Sequence, residues 1–325
     1  MHSSLSPRIE RDVQNGRPAV PAALSRAGVT NLRRIIRISN GGEAQLFYAT
    51  MDLFADLDPE RAGVHMSRFN EVVERLAAEL TLEPFPDIES LAGRMAQQVL
   101  ETQDAMRSEV RIRAQFPIIR QTPVTGLPTE ELYTLLGIAA SRPGRIRHVV
   151  GVEVDGLTVC PCAQDMMRSH SRDLLLENDF SEAQIDRILS VLPIVSHNQR
   201  GRGTLLIGSE GRLRAEDLVA IVEASMSSET YELLKRPDEF YVVDKAHRNP
   251  RFVEDVVREV LREAVRAYPD LPDDAFLLAR QENFEGIHEH NAFAERFGTL
   301  GEIRSEVAGE AHAALHTTLE AWLAA

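Results

Sequence analysis

Gly156-Leu157-Thr158-Val159-Cys160-Pro161-Cys162-Ala163-Gln164 is the stretch on which the reading of this chain turns. It ends a β-branched run, residues 146–159, that reads as a long strand, and residues 163–177 beyond it read as a helix. The only two cysteines of the chain therefore sit at a strand end. One residue between them is tighter than the usual two to four of a zinc knuckle, so a single ion would take one sulfur and leave the other buried or outside the ligand set. The plain alternative is a pair of ordinary buried cysteines. Downstream, Ser196-His197-Asn198-Gln199-Arg200 places a histidine beside an amide and an arginine. Glu282-Asn283-Phe284-Glu285-Gly286-Ile287-His288 adds carboxylates and a second imidazole. Thiolate, imidazole and carboxylate together suit a divalent transition metal.

The totals narrow the class. The 325 residues suffice for two compact units or one large one, and 43% hydrophobic with 26% charged residues is ordinary for a globular protein. No apolar run approaches the roughly 20 residues that span a bilayer, so no membrane partner is expected. A net charge of −14 argues against general nucleic-acid binding. Two cysteines make no disulfide framework, and Met1-His2-Ser3-Ser4 opens no signal peptide, which together point to a reducing cytoplasm.

Along the chain, residues 1–27 read as a flexible arm. Residues 32–38 and 44–52, with Asn40-Gly41-Gly42 between them, read as a hairpin. Ser67 is placed to cap a helix over residues 68–80 that carries Phe69, Val72, Val73, Leu76 and Leu80 on one face, and a second helix follows Pro86. Residues 109–119 alternate as a strand. Residues 123–143 form a looser joint with a short helix at 130–139. The second half repeats these kinds of element: helices at 182–192, 215–224, 229–235 and 252–268, strands at 203–207 and 275–282, and an amphipathic tail helix at 304–323. His312 and His316 in that tail read as surface residues.

Several motifs then agree in order. Beside those quoted above, the chain carries Gly63-Val64-His65-Met66-Ser67-Arg68-Phe69, Leu234-Lys235-Arg236-Pro237-Asp238-Glu239 and Asn249-Pro250-Arg251-Phe252-Val253-Glu254-Asp255. From about residue 30 to 297 the series resembles the type IB GTP cyclohydrolases of bacteria and their archaeal type IV relatives. The resemblance implies an α+β tunnelling fold with two sheet-and-helix modules in tandem per chain: an arm at 1–27, modules at 28–140 and 141–300, the second carrying most of the metal site, and a C-terminal helix at 301–325. It implies a homo-oligomer, a dimer of dimers around a central barrel, with active sites at module or subunit interfaces. Residues 166–195 form a helical insert between the cysteines and His197, as in the archaeal type.

The resemblance also implies roles. Cys160, His197, Glu239, Glu285 and His288 are the expected metal ligands and catalytic residues, for Fe(II) first and Zn(II) or Mn(II) otherwise. Glu254 is the expected purine anchor, since one carboxylate can accept from guanine N1–H and N2–H₂ together. Arg200, Arg202, Lys235 and Arg236 are candidates for the triphosphate of GTP, with His65 and Arg68 reaching a site across an interface and His290 as a proton shuttle or phosphate contact. The implied activity opens the GTP imidazole ring, releases formate and closes 7,8-dihydroneopterin triphosphate, which begins folate and pterin synthesis. Alternatives are a 2′,3′-cyclic phosphate product, a formamidopyrimidine product, a nitrile reductase of the same fold, or a non-catalytic metal-binding subunit.

Overall fold

The computed structural model describes residues 12–40, 43–82, 84–310 and 315–325. They divide into two compact units, one of residues 1–114 and 137–148, the other of 115–136 and 149–325.

The first unit starts with β1 (Leu24–Asn40) and β2 (Glu43–Leu57), an antiparallel hairpin from Leu24 opposite Leu57 to Asn40 opposite Glu43, with register shifts between Leu24 and Ala27 and between Val29 and Leu32. The expected turn residues Gly41 and Gly42 lie outside the described residues, and β1 starts inside the stretch expected as an arm. Helices α1 (Met66–Leu82) and α2 (Ile88–Gln103) follow. Ser67 lies within α1 rather than capping it. Phe69, Val72, Val73 and Leu76 are buried as the helical period demands; the Leu80 side chain lies outside the described ones. Asp87 caps α2 by accepting from Ser90 N at 2.8 Å. The helices cover a sheet face of Ile36, Phe47, Met51 and Leu53, each worth about 1.5–3 kcal/mol when removed from water. Gly93 permits a close approach, since a Cβ there would meet the His148 ring at 2.2 Å.

β3 (Ser108–Gln121) pairs antiparallel with β2, and β4 (Pro128–Arg142) replaces the helix expected at 130–139. In β4, Thr129, Glu131, Tyr133 and Leu135 are buried while Leu132 is exposed, so its inner face carries polar side chains and hydropathy does not track burial.

The second unit takes up β5 (Arg145–Val159) from Val149 onward, and the strand runs straight into Cys160. Helices α3 (Pro161–Glu177) and α4 (Glu182–Val191) form the expected insert; α3 buries none of its residues, whereas α4 buries Ile185 and Leu189. β6 (Asn198–Gly208) returns along β5, longer than expected. After α5 (Ala215–Ala224) comes β7 (Ser228–Glu229), a two-residue strand where a helix was expected, and α6 (Arg236–Arg248) starts only beyond it. α7 (Val253–Ala267) buries Val253, Val256, Val257, Val260, Leu261 and Ala264 along one stripe. β8 (Phe276–Asn283) pairs with β6, and β9 (Ala292–Thr299), not expected from the sequence, pairs with β8. Among the described residues the tail expected as one helix carries two, α8 (Leu300–Val307) and α9 (Leu319–Ala324). Trp322 anchors the second of these by donating from Nε1 to the Asp274 carbonyl at 2.7 Å. His316 sits edge-on to Phe297, and His312 lies outside the described residues.

The expected tunnelling fold of two tandem modules is corrected. Its strands belong to one nine-stranded sheet ordered β1-β2-β3-β4-β5-β6-β8-β9, with β7 paired to β5. The tandem-module expectation comes from the family resemblance; β4, at residues 128–142 where a joint with a short helix is expected, instead continues the order from β3 to β5. Among the described residues no helix is long and apolar enough to cross a membrane.

Candidate active site at the ends of three strands

Three neighbouring strands bring the sequence motifs together. In the β5–β6 ladder Val159 lies opposite Asn198, and in the β6–β8 ladder Gly201 lies opposite Asn283. Cys160 leaves β5, His197 enters β6 and Glu285 leaves β8, all at one end of the sheet. Backbone bonds close the cluster: Cys160 N–H donates to the His197 carbonyl at 3.2 Å, and Phe284 N–H to the Arg200 carbonyl at 2.8 Å. Ser196 Oγ donates to the Cys160 carbonyl at 2.8 Å.

Cys160 also caps α3. Its Sγ receives Ala163 N–H at 3.4 Å, with Pro161 in the first helical position. Cys162 is exposed on the first turn of α3. The Gln164 side chain ties this turn to the carbonyls of Ile194 and His247, each at 2.7 Å.

Gln199 is the residue that sequence reasoning missed. It is 7% exposed, and its amide lies between His197 and Glu285. Its Nε2 donates to Glu285 Oε1 at 3.3 Å, and its Oε1 lies 3.2 Å from His197 Nδ1. The carboxylate only accepts, so the NH₂ must face Glu285 and the amide oxygen must face the imidazole. His197 then donates from Nδ1 and keeps the lone pair of Nε2 free, the tautomer a metal ligand requires. His197 Nδ1 also stands 4.0 Å from Glu285 Oε2. The only signal in the sequence was the alternation that sends Gln199 to the same side as residue 197.

Most of the other expected site residues are exposed. Glu239 is exposed on α6, Glu254 is exposed in the first turn of α7, and His288 is exposed and stacks on His290 with ring centroids 5.1 Å apart. Lys235 and Arg236 are exposed at the start of α6, and Arg200 is exposed on β6. Arg202 is committed to Asp155 through bonds of 2.8 and 3.2 Å, which raises its already high pKa, and it lies over the Phe284 ring. His65 and Arg68 belong to the first unit. His65 Nε2 is 3.6 Å from Asp12, and Arg68 Nη1 donates to the Thr102 carbonyl at 2.9 Å.

Among the described residues no three of the His, Cys, Asp and Glu side chains stand close enough together to hold a metal ion. The donors at the strand ends nevertheless fit a borderline divalent metal in kind: a capped sulfur, an imidazole with a free Nε2 and a carboxylate.

The family model described as type I GTP cyclohydrolase folE2 matches residues 11–294. The GTP cyclohydrolase MptA of Methanothermobacter thermautotrophicus is 40% identical over 304 residues, covering 91% of this chain and 95% of its own length. That of Methanococcus aeolicus is 39% identical over 307 residues, covering 91% and 99%. Among solved structures, a hyper-thermostable AgUricase mutant superposes with a TM-score of 0.51 at 11% identity, over 85% of this chain and 91% of that one. That likeness concerns fold alone, and it accompanies the one-sheet architecture that displaces the tandem-module expectation. The type IB and type IV labels are finer than these matches. With the cysteine, histidine and glutamate motifs gathered at adjoining strand ends and the family match running through all of them, the chain belongs to the type I GTP cyclohydrolase folE2 family.

Proposed function

We propose that this protein is a cytoplasmic, metal-dependent GTP cyclohydrolase that opens the guanine imidazole ring, releases formate and forms 7,8-dihydroneopterin triphosphate at the head of folate and pterin synthesis. The observation that carries the reading is the His197–Gln199–Glu285 relay beside Cys160. Cys160, His197 and Glu285 would hold the metal, Fe(II) by preference, with Glu239 and His288 completing the set. A bound metal lowers the pKa of water and so supplies a nucleophile for C8 at neutral pH.

The remaining work falls to the chain. Glu254 accepts from guanine N1–H and N2–H₂ and so selects against adenine. Arg200, Lys235 and Arg236, exposed cations on β6 and α6, receive the triphosphate. Arg202 is paired with Asp155 and lies over the Phe284 ring, and this reading gives it no phosphate contact. His65 and Arg68 are engaged within the first unit, and this reading gives them no role. The protein assembles as a dimer of dimers, which light scattering would test.

A second product is favoured by one feature. The α3–α4 insert stands between Cys160 and His197, in a chain whose relatives are MptA proteins of methanogens, and it supports closure to the 2′,3′-cyclic phosphate.

The deciding experiment incubates purified protein with GTP and Fe(II) without oxygen and identifies products by mass spectrometry. Formate and a dihydropterin are expected, and the pterin mass distinguishes triphosphate from cyclic phosphate. Intact GTP after prolonged incubation with Fe(II), Zn(II) or Mn(II) would refute the assignment.

A further inference from the structure

Asp238 is the immediate neighbour of Glu239, yet it has no exposed surface. As the third residue of α6 it bonds back to the cap, its Oδ2 accepting Lys235 N–H at 3.0 Å. An ordinary carboxylate in that position leaves its other lone pairs to water. Here they are filled by a turn more than 100 residues earlier in the chain. Oδ1 accepts Val124 N–H at 2.8 Å and Thr125 N–H at 2.9 Å, and Oδ2 accepts the Thr125 hydroxyl at 2.7 Å.

The turn itself is firm. Thr122 N–H donates to the Leu127 carbonyl at 2.9 Å, Leu127 N–H to Thr122 Oγ1 at 2.9 Å, and Gly126 takes a φ of +65° that suits glycine. The strands leading to it are fixed in the same unit. Arg120 and Tyr133 both bond the buried Glu223, and Glu131 accepts Glu232 N–H at 3.0 and 3.1 Å. The segment before α6 is thus held at Glu232 by Glu131 and at Lys235 by Asp238.

We propose that Asp238 is a positioning residue, which with the turn at residues 122–127 fixes the first turn of α6 and thereby places Glu239 for metal and Lys235 and Arg236 for the triphosphate. The inference rests on the function proposed above for those three residues. A cap that served helix stability alone would need only the Lys235 bond. Three further bonds from a distant turn fix where the helix start lies, which is what a ligand on its next residue requires.

Asp238→Asn keeps the side-chain volume but turns an NH₂ toward N–H donors. Thr125→Ala removes the hydroxyl bond, and Thr125→Ser restores it. Amide hydrogen exchange at residues 235–240 of metal-free protein, Co(II) affinity by titration, and kcat and KM for GTP are measured on each. Expected for Asp238→Asn are faster exchange at 235–240, a roughly 10–100-fold loss of Co(II) affinity, and a GTP KM that rises more than kcat falls. Thr125→Ala is expected between this and wild type, with Thr125→Ser matching wild type. If Asp238→Asn does not fold, the Thr125 pair carries the same comparison. Faster exchange with unchanged Co(II) affinity and KM would overturn the proposal, leaving Asp238 a structural cap; unchanged exchange would overturn it outright. A wild type that binds no Co(II), while the variants still exchange faster and raise KM, would uphold the clamp and remove the metal reading of Glu239 instead.

Discussion

Replacing Gln199 by leucine isolates the relay between His197 and Glu285. Leucine fills a similar volume in a position only 7% exposed, so packing is largely kept. Two hydrogen bonds disappear, one to the imidazole at 3.2 Å and one to the carboxylate at 3.3 Å. At about 1 kcal/mol net for each, the loss is about 2 kcal/mol, or roughly 30-fold in metal affinity. The direction follows from what is released: His197 no longer has its Nδ1 proton fixed, and Glu285 loses a donor that holds its carboxylate in place. Competition titration with a chromophoric chelator measures the affinity, and thermal melting of the metal-free protein checks that the fold survives. Gln199→Glu should be worse, because it sets a second carboxylate against Glu285. Wild-type affinity in a folded Gln199→Leu protein would refute the reasoning and reduce the amide to a buried spacer.

Three other outcomes are expected. Glu254→Gln should weaken GTP binding by on the order of 2–5 kcal/mol with metal content unchanged, while Glu285→Gln should lose metal and keep GTP; equilibrium dialysis of GTP with metal analysis of both variants checks this. Cys160→Ala should lose metal and also destabilise α3 by roughly 0.5–2 kcal/mol, whereas Cys160→Ser should lose metal and keep the cap, a difference visible in amide exchange along α3. Acid stability should depend on Glu229. Burial would raise its pKa, but the hydrogen bond from Lys245 prevails and holds it below the ordinary 4.5. A depressed carboxylate adds stability that is present above about pH 4.5 and is lost as pH falls through the lowered value. Melting of Glu229→Gln should accordingly differ most from wild type near neutrality and converge with it in acid.

How far the sequence was legible depended on where each residue finds its partner. The β1–β2 hairpin could be read because its alternation and the glycine pair are local, and the α7 stripe because its period is. β4 could not, because its inner face holds Thr129 and Glu131 and its outer face Leu132, which erases the hydropathy signal of a strand. Thr129 donates to Glu131, and Glu131 and the neighbouring Tyr133 find their partners in Glu232 and Glu223, some 90 to 100 residues away. The site divides in the same way. Cys160, His197 and Glu285 are candidates through residue type taken together with the ordered motifs of the family resemblance. Gln199 did not, since an amide has a role only through what stands on either side of it. Arg202 looked like a free cation until its partner Asp155 appeared across the β5–β6 ladder.

The insert between Cys160 and His197 has a practical side. Its two ends meet at a 3.2 Å hydrogen bond, and the β5–β6 ladder begins directly beyond, so the strands do not register how long the detour is. Its first helix buries nothing, and Asp179, with a φ of +62°, turns the chain at its far end. Lengthening that far end costs only closure entropy, which grows with the logarithm of length. The turn at residues 178–181 is therefore a splice point: a fluorescent or affinity module inserted there would ride at the tip of a lever whose foot is Cys160, reporting on events at the foot while leaving the strand ends undisturbed.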